Sequence, residues 1–166
     1  MATVSLYKRG LVVASALIDE GDVGLVEGYR WFLVPNGYAL ATALHPEGGK
    51  TPDGHRARRI TYLMHRLILG VTGAYQADHI NGDRLDNRRA NLRRVTFLEN
   101  QQNRASYRGS TSRYRGVSWN KGMERWVVYG CVNREKTHLG YFTDEHEAGA
   151  VAAAWRAAHM PFAVDR

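Results

Sequence analysis

Short apolar runs broken by turns fill residues 3 to 44, first "SLYKRGLVVASALI" and then "RWFLVPNGYALATAL", with Pro35-Asn36-Gly37 as a hairpin signal. That rhythm predicts small β structure. The segment "HPEGGKTPDGHRARR", 45 to 59, holds three Gly and two Pro and reads as a loop. In "ITYLMHRLILG" the apolar residues at 60, 63, 64, 67 and 68 keep the spacing of one helical face, and Gly70 suits a stop. A helix is predicted there, with His65 and Arg66 at the edge of its apolar face. Thr96 followed by Glu99 is a capping-box pattern, so a helix starts there after a short strand "LRRV", and Asn100, Asn103 and Arg104 share one of its faces. The polar run 103 to 113 reads as a linker. Beyond it, strands are predicted at 114 to 119, 125 to 132 and 136 to 142, with Gly122 and "NREK" at 133 to 136 as turns. A final helix opens on Asp144, Glu145 and Glu147, which suit the positive end of its dipole, and its stripe of Ala148, Val151, Ala152 and Trp155 should pack on the sheet.

Composition narrows the partners. A chain of 166 residues with 44% hydrophobic content can bury a core as one domain or as two or three small ones. The net charge of +7 favours a polyanion such as nucleic acid or an acidic membrane face. No apolar run approaches the roughly 18 residues of a membrane span, so none is expected. Lys8 and Arg9 before "GLVVASALI" mimic a signal peptide, but the run meets "DEGD" and reads better as a buried strand. The single cysteine, Cys131, allows neither an internal disulfide nor a Cys-x-x-Cys zinc clamp. The expectation is an intracellular chain whose metal, if any, sits on oxygen or nitrogen.

The stretch "ADHINGDRLDNRRANL", Ala77 to Leu92, carries the candidate chemistry. Hydrolysing a phosphodiester at neutral pH needs a general base near a water and a cation to neutralise charge on the phosphate oxygens. Histidine is the natural base, and a hard cation such as Mg²⁺ takes few protein oxygens and keeps its waters. Adjacent Asp78 and His79 on an extended segment point to opposite sides, so one can hold metal while the other faces a water. Asn100 offers a second oxygen. Residue by residue, the stretch fits equally an Asx-type turn with a solvated Arg face. An EF-hand does not fit, because Ile80 and Gly82 stand at its third and fifth places.

The segment "HRLILG…ADHINGDRLDNRRANLRRVTFLENQQN", His65 to Asn103, resembles the HNH endonucleases of the homing type, with their ββα-metal motif, common in phages and group I introns. With "WFLVPNGYA" upstream, the resemblance covers most of residues 17 to 103. It implies Asp78 as metal ligand, His79 as general base, Asn91 as the brace of the loop, Asn100 as second ligand, and Mg²⁺ or Mn²⁺ as cofactor. The last His of the family name is Asn100 here, a departure shared with a nicking branch, and an amide oxygen holds metal loosely. His65 would have an accessory role, orienting the strands or contacting a phosphate, with a locally bonded helix-edge histidine as the alternative.

From Arg84 to Arg115 the chain carries nine Arg against Asp86 and Glu99, and Arg93, Arg94 and Arg104 are the candidates nearest the site for phosphate contact. Residues 112 to 160 resemble the Apetala/ethylene-response DNA-binding domain in "YRGVSW", "RWVVYG", "HLGYF" and the Ala-rich helix. That resemblance implies a three-stranded sheet in the major groove presenting Arg115, Ser118, Arg125, Tyr129, Lys136 and His138, with Trp126 in the core. Ser118, Tyr129, Cys131 and His138 depart from the plant pattern, so base specificity does not transfer. A basic sheet that only anchors phosphates is the alternative.

The fold expected is α+β: a small N-terminal β region leading into a ββα-metal HNH core, then a three-stranded antiparallel sheet packed on one helix. Its parts are 1 to 103, with the motif at about 60 to 103, a linker at 104 to 112, and 113 to 166. The function expected is that of a metal-dependent DNA endonuclease. It would nick duplex DNA as a monomer in a bacterial or phage-infected cytoplasm, with a dimer as the variant that breaks both strands. Against it stand a DNA-binding regulator with an inactive HNH core, and an RNA-binding protein stacking bases on Tyr114, Trp119 and Tyr129.

Overall fold

A computed structural model describes residues 1–44, 59–103 and 109–164. The chain is α+β and divides into two compact units, Met1–Thr96 and Phe97–Arg166. The loop expected at 45 to 59 lies, up to residue 58, outside the described residues, as does most of the linker.

In the first unit, β1 (Ala2–Lys8), β2 (Leu11–Ile18), β3 (Trp31–Leu33), β4 (Ala39–Leu44) and β5 (Arg59–Leu63) form one sheet in the order β2-β1-β3-β4-β5. The β1–β2 turn uses positive φ at Arg9 (50°) and Gly10 (87°), which matches the twist of a tight hairpin. Pro35-Asn36-Gly37 closes β3 onto β4, with the Gly37 N–H donating to the Val34 carbonyl at 2.8 Å. One sheet face packs into the core of Leu6, Ala16, Ile18, Trp31, Ala39 and Ala41, joined by Val26 of α1 (Val23–Val26) and by Met64 and Ile68 of α2 (Met64–Leu69). The Trp31 indole N–H is satisfied by the Val26 carbonyl at 2.9 Å.

The helix expected from residue 60 begins only at Met64. Residues 59 to 63 are strand, because Ile60 and Tyr62 alternate with exposed Arg59 and Thr61 and the segment pairs with β4 along its length. The apolar spacing fitted both periods, and pairing with a neighbouring strand decided between them. Gly70 does end the helix, in the left-handed conformation at φ 62°. After it, β6 (Gln76–His79) and β7 (Leu92–Val95) form a separate antiparallel pair, the second of them the predicted "LRRV" strand.

The second unit holds α3 (Phe97–Gln102), β8 (Val117–Asn120), β9 (Arg125–Val132), β10 (Glu135–Phe142) and α4 (Glu145–His159). The three strands make one antiparallel sheet in the order β10-β9-β8. The first begins at Val117 rather than at 114, because Tyr114 to Val117 close a turn through positive-φ Gly116. Asp144 caps α4, its Oδ1 accepting from the Glu147 N–H at 2.8 Å. Ala148 and Ala152 meet Val117 and Val128 in the core, and Trp155 lies so close to Gly130 that a Cβ there would sit 2.5 Å from the indole. Among the described residues, no helix is long and apolar enough to cross a membrane.

Candidate active site

β6 sets Asp78 and His79 side by side, opposite Arg93 and Leu92 of β7. Strand alternation sends their side chains to different partners. Asp78 is nearly buried and accepts on Oδ2 from Arg93, from Nε at 2.9 Å and Nη2 at 2.8 Å. A carboxylate out of water needs such a partner. His79, also buried, places Nε2 3.3 Å from Oδ1 of Asn87.

The loop between β6 and β7 is built from its own polar side chains. Asn81 Oδ1 accepts from the Asp83 N–H at 2.8 Å, and Asp83 Oδ1 from the Leu85 N–H at 2.9 Å, two successive Asx turns. Gly82 turns at φ 77° and donates to the His79 carbonyl at 3.0 Å. Asn91 spans the loop, its Oδ1 accepting from the Asn81 N–H at 2.9 Å and its Nδ2 donating to the Asp86 carbonyl at 2.8 Å. Asp86 is buried, and its pKa is lowered chiefly by hydrogen bonds from Arg88, the nearest at 2.7 Å. The expected Asx turns are present, and the loop they form carries Asn87 against His79. Backbone bonds from Leu17 to Leu85 and from Asn87 to Leu17, each 2.8 Å, tie the loop to β2, and Arg89 clasps Asp22 at 2.7 Å.

His79 sits among rings. His65 meets it edge-on with centroids 4.9 Å apart, Tyr38 lies 5.0 Å from His65 and 5.8 Å from His79, and the Arg84 guanidinium covers Tyr38 at 4.9 Å. Burial lowers the pKa of His79 below the ordinary imidazole value, against the raising effects of Asn87 and Asp78, so the ring is neutral at neutral pH. His65 is pushed further, to about 3, by burial first and then by His79 and Arg66. The expected phosphate contact by His65 is corrected by its burial: a neutral ring at 5% exposure packs against His79 instead of reaching solvent.

The donor set suits a hard cation only in part. Asp78 supplies one carboxylate, and among the described residues no group of three or more His, Cys, Asp or Glu comes together to hold a metal. A hard cation such as Mg²⁺ takes few protein oxygens and keeps water and phosphate as its other ligands. Asn100 stands on α3 in the second unit. The Arg93 expected at phosphate is engaged with Asp78, Arg94 lies over the Tyr75 ring at 3.7 Å, and Arg104 falls outside the described residues.

On the second unit's sheet, cross-strand pairing puts Ser118, Arg125, Tyr129, Lys136 and His138 on one face, with Tyr129 5.2 Å from His138 and the Lys136 ammonium 3.7 Å above the Tyr129 ring. Trp126 points the other way and packs against the core. Arg115 is a correction. It precedes β8, and its guanidinium donates to the Gln101 and Gln102 carbonyls at the end of α3, where a cation offsets the helix dipole.

Sequence reading missed Asn87 and Tyr38. Asn87 is fully buried inside a polar run that looked solvated, and its only signal was a second Asn within the Asx-rich loop. Tyr38 follows the β3–β4 turn, 41 residues before His79 in the chain, and nothing local marks it.

Residues 47–102, about a third of the chain, match a family model described as HNH endonuclease. The match supports a nuclease, with DNA as the substrate it implies and a divalent metal as the usual cofactor of such nucleases. No curated protein and no solved structure matches the chain.

Proposed function

We propose that this chain is a metal-dependent endonuclease that nicks duplex DNA. The observation that carries the reading is a buried neutral histidine, His79, next to a carboxylate, Asp78, on a loop cross-braced by Asn91. His79 takes a proton from a water, whose oxygen attacks the phosphorus in line while the bond to the 3′ oxygen breaks. The departing 3′ oxygen takes a proton from solvent water, and the products are 5′-phosphate and 3′-hydroxyl ends. Asp78 would hold a divalent cation, Mg²⁺ or Mn²⁺, and Asn100 is the second ligand that the resemblance to HNH endonucleases implies. Such a cation, when bound, would supply positive charge against the phosphate oxygens as the bond to the 3′ oxygen breaks. Asn91 keeps the loop in register, and His65 and Tyr38 wall the base away from bulk water.

The sheet face of Ser118, Arg125, Tyr129, Lys136 and His138 is the DNA-anchoring surface, in the manner of an Apetala/ethylene-response domain. One His79 site per chain, acting as a monomer, cuts one strand; a double-strand break needs two copies or two sequential cuts. A bacterial or phage-infected cytoplasm suits this activity. The test is conversion of supercoiled plasmid, carrying DNA from the neighbourhood of the gene, to open circle with Mg²⁺ or Mn²⁺. Open circles that vanish with EDTA and with His79→Ala support the reading. Duplex retarded on a gel but left supercoiled under either metal replaces the nuclease by a DNA-binding regulator.

A further inference from the structure

The β1–β2 hairpin ends in apolar side chains that the fold leaves in water. Leu11, Val12 and Val13 are 72%, 56% and 46% exposed. Leu11 and Val12 are neighbours on a strand and point to opposite faces, so neither face is covered at this end. Pairing shows why. β1 registers with β3 at Tyr7 and Phe32, and beyond that pair Lys8 to Leu11 run on as a two-stranded ribbon. Val13 is the residue skipped between the pairs Leu6–Ala14 and Tyr7–Val12, a bulge that leaves it outside the ladder. An apolar run on a bare edge strand is a liability unless something covers it.

We propose that this hairpin end is a DNA wedge: it enters the minor groove of a duplex, Leu11 and Val12 open a base step, and Lys8, Arg9 and Arg30 meet the flanking phosphates. The inference goes beyond the anchoring face of the second unit, and it rests on duplex DNA as the substrate but not on the chemistry at His79.

Charge selects the occupant. Lys8 and Arg9 are exposed beside Leu11, and the Arg30 guanidinium lies over Tyr7 at 4.6 Å and Phe32 at 5.9 Å, at the root of the ribbon. Among the described residues no carboxylate pairs with any of the three, whereas Arg88, Arg89 and Arg93 are each taken by an acid. A second copy seated on Leu11 and Val12 about a two-fold axis would bring Lys8 and Arg9 close to their own counterparts, which opposes it. Phosphates reverse that sign.

The apolar side chains select the mode. Leu and Val carry no donor or acceptor, so they read no base edge. What they gain is contact with apolar surface, and in duplex DNA a wedge reaches the base faces by partly unstacking a step from the minor groove. Arg9 at φ 50° and Gly10 at φ 87° close a two-residue turn, so the tip is narrow and set in shape before DNA arrives. At its other end β2 is bonded through Leu17 to Leu85 and Asn87, on the loop that lies against His79. At about 3.3 Å per residue the tip stands about 20 Å from that bond, so the opened step falls within about one helical turn of the cut.

The test reads stacking, not cutting. Duplexes from the neighbourhood of the gene, with a fluorescent aminopurine that brightens on unstacking placed at successive positions, are titrated in EDTA with the full chain. The expected result is brightening at one or two adjacent positions. Leu11→Thr with Val12→Thr, which keeps strand preference, should lose it. Lys8→Gln with Arg9→Gln should lower the log–log salt slope of binding by about 2. If the Thr pair disturbs the hairpin, Leu11→Gln alone, at the most exposed of these side chains, should lose the same signal. Duplex bound without brightening at any position, or brightening that the Thr and Gln variants retain, overturns the wedge. So does a wild-type dimer in sedimentation that the Thr pair dissolves, or phosphatidylserine vesicles that the wild type binds and the Thr pair releases, when no stacking signal accompanies them. Failure of the nuclease reading shows separately: plasmid left supercoiled under Mg²⁺ and Mn²⁺, with the stacking signal intact, supports the wedge alone.

Discussion

Replacing Asn91 with Ala removes one side chain from two backbone groups that have no other role. The Asn81 N–H loses its 2.9 Å acceptor and the Asp86 carbonyl its 2.8 Å donor, and Asn91 itself is 8% exposed, so water reaches these groups poorly. A buried backbone group left unsatisfied costs about 1–3 kcal/mol, and the Asn81 end is only part-buried, so a total of about 2–4 kcal/mol is expected. The loss falls on the loop rather than on the five-stranded sheet. Native-state hydrogen exchange is therefore the assay, since it reads local opening directly. The Ile80 N–H, which donates to the Asn91 carbonyl at 2.8 Å, and the Asn87 N–H, bonded to Leu17, should exchange about thirtyfold to several hundredfold faster. Amides of β1 and β4 should keep their protection. Asn91→Asp retains the acceptor for Asn81 but turns a carboxylate oxygen toward the Asp86 carbonyl, so it should be no milder at Asn87 while sparing Asn81. Unchanged exchange at Ile80 and Asn87 in Asn91→Ala would refute the brace, and equal loss across the whole sheet would show that the loop is not a separate element.

Other expectations follow from single contacts. Arg93→Gln takes the guanidinium from Asp78, so Mn²⁺ should bind the variant more tightly than the wild type in a calorimetric titration at low salt; weaker binding would mean that Arg93 shapes the ligand. His65 has a folded pKa of about 3, below its unfolded value of about 6.5, so it contributes stability that is complete above pH 6.5 and is lost as pH falls toward 3. The slope approaches about 1.4 kcal/mol per pH unit, and His65→Phe should flatten that part of a denaturation series run between pH 7 and 5. Gly130→Ala should destabilise the second unit by about 1–3 kcal/mol, because the new methyl meets the Trp155 ring, and a thermal melt of the full chain followed by Trp fluorescence checks it. Arg125→Ala combined with Lys136→Ala should lower the log–log salt slope of duplex binding by about 2, and an unchanged slope would remove that sheet face from the DNA contact.

What the sequence made legible was local. The β3–β4 turn, the Gly70 stop, the acidic start of α4 and the β9–β10 turn are each written in a few neighbouring residues with strong local preferences. Residues 59 to 63 were misread because their apolar spacing satisfies a helix and a strand at once, and the deciding partner, β4, lies more than a dozen residues upstream. The candidate site divides in the same way. Asp78, His79 and Asn91 stand out by order and spacing, whereas the walls of the site come from Tyr38 and His65, which only the packed sheet and α2 bring to His79.

The same division explains the charges. From sequence, "DRLDNRRANLRR" looks like a solvated basic face suited to phosphates. In the fold, three of its Arg are engaged by acids of the first unit: Arg88 by Asp86, Arg89 by Asp22 and Arg93 by Asp78. A loop this polar would otherwise bury carboxylates without counter-charge, which costs more than the pairs return at the surface. The arginines stabilise the frame around His79, and their engagement by carboxylates takes them out of the free basic face that the sequence suggests. Net charge therefore points to the partner, while the ion pairs decide which residues remain to meet it.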